Sequence, residues 1–171
     1  MSEDSGLARA QLAAVPWTTL RANGSPGEEV RDLLTTMLFS DGVCAVRDAF
    51  SRIENSVSAQ GDLSPVAPGA VSVIVAAVAE SDAGDARLGP VLDLLGLTLA
   101  GHTARWELEI GTRGIRAACY REAMKGYWSL RRIAAGTHDP HGYRALAEEL
   151  VGMLDDEAAN PEPDSPARDA S

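Results

Sequence analysis

Aromatic residues are scarce in this chain of 171 residues, at 5% of the total. That scarcity argues against a β-sandwich, whose strands draw on aromatic and β-branched side chains. Cysteine is almost absent. Cys44 and Cys119 lie far apart in the sequence, which excludes a disulfide framework and a metal knuckle; both read as buried, reduced thiols inside helices. No apolar run approaches the roughly 20 residues that span a bilayer, the longest being 71–79, so no membrane association is expected. The first residues, Met-Ser-Glu-Asp-Ser-Gly, carry no basic or apolar leader, so the expected location is cytoplasmic. Positive charge is also short. Fifteen Lys and Arg face 25 Asp and Glu, for a formal net charge of −10, a poor match for phosphate backbones, and no nucleic-acid partner is expected.

What is present is apolar content of 45%, charged content of 23% and helical periodicity almost throughout. Val30, Leu33, Leu34, Met37 and Leu38 share one helical face, and Val43, Val46, Ala49, Phe50, Ile53 and Val57 form a second. The stretch 70–79 is apolar nearly all round, as a helix shielded on several sides would be. Leu88 to Leu99 and a long stripe from Ile115 to Ala134 follow, and Tyr143 to Leu154 closes the pattern. Ser25-Pro26-Gly27-Glu28 reads as a capping box, Ser64 as a cap before Pro65, and Asp139 as a cap before Pro140. Leu7 to Ala14 suits a short leading helix.

The strongest organising signal is a repeated corner. Ser40-Asp41 and Ser81-Asp82 each end an apolar helical run, 41 positions apart, and each precedes a second amphipathic run. A period near 40 residues built from two helices is the spacing of HEAT and armadillo repeats. The expected fold is all-α: stacked antiparallel helix hairpins, about six to seven helices, with pairs at 26–57, 65–100 and about 115–154. A non-repeat bundle is the alternative arrangement of the same helices. Residues 1–154 read as one domain. Residues 155–171, with six acids, one Arg and three prolines, read as a disordered acidic tail.

The stretch Ser56-Val57-Ser58-Ala59-Gln60-Gly61-Asp62-Leu63-Ser64-Pro65-Val66-Ala67-Pro68-Gly69-Ala70-Val71 resembles a segment of HEAT-like helical-repeat proteins of actinobacteria. Their pattern there is His-Gln-Gly, a small spacer, then a Pro- and Ala-rich start to an apolar helix. Trp17, the Asn23-Gly24 loop and the Ser40-Asp41 corner fit the same pattern, over about residues 15–100. This chain has Ala59 where the family usually has His, and Val30 where it often has Pro. The resemblance implies helical-repeat scaffolding and partner binding, with a regulator or an immunity-type, toxin-neutralising protein among the roles it suggests.

Chemistry is harder to find. His138-Asp139-Pro140-His141 has the residue types to begin a metal site, yet Asp139 and Pro140 are explained by a helix start. His102, Glu107 and Glu109 gather acid–base side chains in the irregular stretch 101–114. Gly111-Thr112-Arg113-Gly114 is too short for a phosphate loop, and no nucleophile elbow or zinc-helix motif occurs. No cofactor, metal ligand or catalytic residue is assigned. Lys125-Gly126-Tyr127-Trp128-Ser129-Leu130-Arg131-Arg132 is richer in interface residue types. Adjacent Tyr127 and Trp128 point about 100° apart on a helix and cannot share one seam. The sequence therefore favours a non-catalytic interaction module whose surface includes Trp106, Tyr127, Trp128, Arg131 and Arg132, with an unidentified protein partner. A ligand-binding or enzymatic helical protein with its site in 101–114 is the alternative, and burial of an apolar face in a homodimer is a third.

Overall fold

The computed structural model of the chain describes residues 6–82 and 84–161. Nine α-helices run through them: α1 Leu7–Ala14, α2 Gly27–Phe39, α3 Val43–Val57, α4 Ala67–Glu80, α5 Leu88–Leu99, α6 Arg105–Glu109, α7 Ile115–Met124, α8 Tyr127–Ala134 and α9 Tyr143–Ala159. The chain is mainly helical, but it is not all-α. Three two-residue strands, β1 Ser58–Ala59, β2 Asp62–Leu63 and β3 His102–Thr103, form a small mixed sheet, β1 antiparallel to β2 and β2 parallel to β3. The sequence reading treats 59–62 as a plain break. Gln60 and Gly61 both take positive φ, 56° and 88°, the backbone of a two-residue hairpin turn whose twist matches that of its strands.

α4 is the organising element. Ala70, Val71, Val73, Ile74, Val75, Ala77 and Val78 are all buried, so the helix needs cover on every side. That cover comes from α1, α2, α5, α7 and α8. α5, equally apolar, packs against α3, α4, α7 and α9. No helix among the described residues is long and apolar enough to cross a membrane.

The two Ser-Asp corners do terminate helices. The Ser40 N–H bonds the Thr36 carbonyl and the Ser81 N–H bonds that of Ala77, both at 3.0 Å. The expected starting caps fare differently. Ser25 directs its hydroxyl to Ser56 at 3.3 Å rather than to α2. Helix α2 starts at Gly27, where only glycine fits: a Cβ there would lie 2.4 Å from the Trp17 carbonyl oxygen and 2.8 Å from that of Leu20. Ser64 caps the wrong helix for that reading: its hydroxyl donates to the Ser56 carbonyl at the end of α3, at 2.8 Å. Asp139 does cap α9, accepting from the Tyr143 and Arg144 N–H groups at 2.7 and 3.1 Å, with the helix starting three residues later than Pro140. The α1 start is capped from a distance, its Leu7 and Ala8 N–H groups donating to Glu80 of α4.

Two boundaries change. The stripe 115–134 is two helices, because Gly126 sits against Val75, where a Cβ would lie 2.8 Å from Cγ1. The last helix runs past Leu154 to Ala159, so 155–159 are not disordered tail. Asp155 accepts from the Tyr127 hydroxyl at 2.9 Å, and Glu157 pairs with Arg116 at 2.7 Å, the two side chains only 14% and 10% exposed. These partners offset the unfavourable placement of acids at a helix C-terminus. The tail from 162 on lies outside the described residues.

The central position of α4 sets a stability expectation. Ile74→Ala removes a fully buried side chain and should destabilise by about 2–5 kcal/mol, whereas Leu97→Ala, at a partly exposed position, should cost under about 1 kcal/mol. Chemical denaturation of both variants checks this; equal losses would show that α4 is not the core.

Candidate interaction surface

Helix topology gives the molecule two distinct ends. At one, the small sheet ties together the end of α3, the approach to α4 and the end of α5. The His102 N–H donates to the Gly61 carbonyl at 2.9 Å and the Val66 N–H to that of Arg21 at 3.0 Å. At the other end lie the Ser40 and Ser81 corners.

The irregular stretch 101–114 belongs to the sheet end. His102 Nε2 lies 3.2 Å from an Asp62 oxygen, both side chains partly exposed. Glu107 is fully buried; one oxygen takes the Arg21 guanidinium at 3.0 Å, and the other, Oε1, has no hydrogen-bond partner. Glu109 is exposed and paired with Arg105 at 3.3 Å. The three acid–base residues read together in the sequence are therefore each engaged elsewhere. Trp106 is partly exposed, with the Arg21 guanidinium 5.9 Å from its ring centre.

The second candidate stretch spans the α7–α8 elbow. Tyr127 and Trp128 face different sides of α8. Tyr127 packs against the core, and Trp128 projects outward at 79% exposure, meeting the Tyr127 ring edge-on at 5.3 Å. Tyr127 is fixed by its bond to Asp155, which holds the phenol above its ordinary pKa. The Arg131 guanidinium lies 5.6 Å from the Tyr127 ring centre. Arg132 reaches the corner end and donates to the Ser81 carbonyl at 2.8 Å, satisfying an end of α4 that has no continuing helix. Trp106 sits at the sheet end and Arg132 reaches the corner end, so the five sequence candidates do not form one patch. Tyr127, Trp128 and Arg131 do, together with Met124, partly exposed one turn earlier.

Sequence reasoning missed a groove. The first half of α3 stands away from α5, leaving a cleft of about 570 Å³ at the corner end, with Val43, Val46 and Phe50 on one wall and Ala86 and Pro90 on the other. Val43 is 74% exposed and Cys44, expected to be buried, is exposed too; Cys119 is buried as expected. Apolar spacing on a helix does not say whether its own chain covers the face, so no signal in a single sequence marks this cleft. At its rim Asp85 and Arg87 pair at 3.1 Å. Burial pushes the Asp85 carboxyl up, but the Arg87 side-chain and backbone bonds outweigh it and hold the group below its ordinary value.

Comparison of the chain with family models, curated proteins and solved structures found no match.

Two expectations follow from this geometry. Arg132→Ala should destabilise by about 1 kcal/mol through the lost bond to the α4 terminus, while Arg131→Ala stays within about 0.5 kcal/mol, both read by urea denaturation. A lowered carboxyl pKa stabilises the fold fully above the ordinary Asp value of 3.8, and that contribution fades as pH falls through the native value. Asp85→Asn should therefore flatten the acid limb of the stability–pH curve and leave its slope near neutrality unchanged.

Proposed function

We propose that the chain is a non-catalytic, cytoplasmic protein-binding module built from stacked helix hairpins of HEAT type, with a docking site on the α7–α8 elbow. The packing pattern supports the stack. α2 lies on α4 and α3 on α5, as first and second members of successive hairpins would. α4 then meets α7 and α8, and α5 meets α9, so the broken α7–α8 rod takes the place of the first helix in a third hairpin. In such a stack the middle pair is apolar on two sides, as α4 and α5 are.

The observation that carries the binding reading is Trp128. A tryptophan left 79% exposed on a rigid helix, backed by Tyr127 and flanked by Lys125 and Arg131, has the composition of a binding hot spot. Its own chain gives it an edge contact from Tyr127 and leaves most of the ring to solvent. The partner it suits presents an apolar pocket with an acidic border, matching the local cations on an otherwise acidic protein. The resemblance to HEAT-like proteins supports the same role, including that of a regulator or immunity-type protein.

The alternative, a ligand or catalytic site in 101–114, keeps one observation in its favour: the buried, half-satisfied carboxylate of Glu107. Against it, the Glu107 oxygen that does have a partner is held by Arg21, and the 570 Å³ cleft is lined by α3 and the start of α5 instead.

Affinity capture from the native cell with wild type and Trp128→Ala side by side tests the reading. Trp128→Ala should leave the unfolding midpoint unchanged and weaken capture of a specific partner at least tenfold, about the loss of one hot-spot residue. Retention of every partner by the variant, or its unfolding, overturns the site.

A further inference from the structure

The groove between α3 and α5 has a charge pattern that its own chain leaves incomplete. Arg47 stands on the α3 wall and Asp93 on the α5 wall. Asp85 and Arg87 satisfy one another at the α5 side of the rim, and Asp41 lies close enough to Arg87 to act on it electrostatically. Among the described residues neither the Arg47 side chain nor the Asp93 side chain has a hydrogen bond or ion pair. Burial alone raises the Asp93 carboxyl above its ordinary value, with no cation offsetting it. A cation and an anion thus face an apolar cleft from opposite walls, each without a counter-ion.

Their placement along the helices is matched. Both corner ends feed the groove, so α3 and α5 enter it by their N-terminal turns and run in the same sense. Arg47 is four residues into α3, which starts at Val43, and Asp93 is five residues into α5, which starts at Leu88. At 1.5 Å rise per residue the two charges stand nearly level.

We infer that the groove is a self-association surface, occupied by the same groove of a second copy of this chain around a twofold axis running along it. That operation places each copy's α3 wall opposite the other's α5 wall while keeping the helices in the same sense. Arg47 of one copy then meets Asp93 of the other, and the reciprocal pair forms by symmetry, as an isologous contact requires. Val43, Val46 and Phe50 supply the apolar centre and are shielded from water on both sides. A face carrying only one sign of charge would repel its own copy; this one is complementary to itself. Trp128 plays no part in the contact, so the inference stands apart from the docking site on the elbow.

Sedimentation velocity of the full chain over a concentration series provides the test. Wild type should move from 18.0 kDa to twice that mass. Val43→Asp at the exposed start of α3, and the single reversals Arg47→Asp and Asp93→Arg, should each weaken the dimer at least about tenfold by juxtaposing like charges or burying a carboxylate. The double reversal Arg47→Asp with Asp93→Arg should recover it, because the exchanged charges pair across the same axis. Trp128→Ala should dimerise as wild type does. Circular dichroism confirms that each variant is folded; these positions are on the surface, so unfolding is not expected to intervene. A monomeric wild type would overturn the proposal and leave the groove to a ligand or another partner. So would a dimer indifferent to Val43→Asp, or single reversals that the double reversal fails to rescue.

Discussion

The constraint on which the structure turns is that α4 has no polar face. A helix exposing apolar side chains all round can exist in water only inside a jacket of other elements, and here five helices provide it. Much of the rest can be read as a consequence. Glycine stands at 126 because α7 and α8 must bend around Val75. Three polar side chains near α4 serve helix ends: Glu80 caps α1, Arg132 holds the terminal carbonyl of Ser81, and Ser64 closes α3. These are long-range caps, and they fix how the helices are placed relative to one another as well as where each one ends.

That division explains what could be read from the residues. Local signals were legible: the 41-residue corner recurrence, the limits of α3, and the all-round apolar character of α4 all follow from periodicity and helix-stop chemistry. Signals depending on distant partners were not. Ser25 and Ser64 have the right type and spacing to cap the helices that follow them, yet their hydroxyls go to Ser56 and to the end of α3, groups known only once the chain is folded. The acids at 155–157 look like the start of a disordered tail until Tyr127 and Arg116 are placed beside them. The short sheet was legible in principle, since Gln60-Gly61 is a turn dipeptide, but two-residue strands leave no alternating pattern to detect.

The candidate surface divides in the same way. That Tyr127 and Trp128 could not both be buried is a matter of helix geometry and needed no tertiary information. Which of the two turned inward did: Tyr127 packs against the core with its hydroxyl donating to Asp155. The grouping of Trp106 with those residues fails because the sheet carries α6 to the opposite end of the molecule from the Arg132 contact. Arg132 itself is a structural residue at the boundary of the patch.

The open groove at α3 and the fully jacketed α4 are two outcomes of one rule. Inner helices are covered on all sides and outer ones only where a neighbour leans on them. α3 packs on α2 and buries Ala49, Ile53 and Val57, while its other apolar residues Val43, Val46 and Phe50 line the cleft toward α5. Arg47 and Asp93, opposite in sign on the two walls of that groove, make the open face complementary to its own copy.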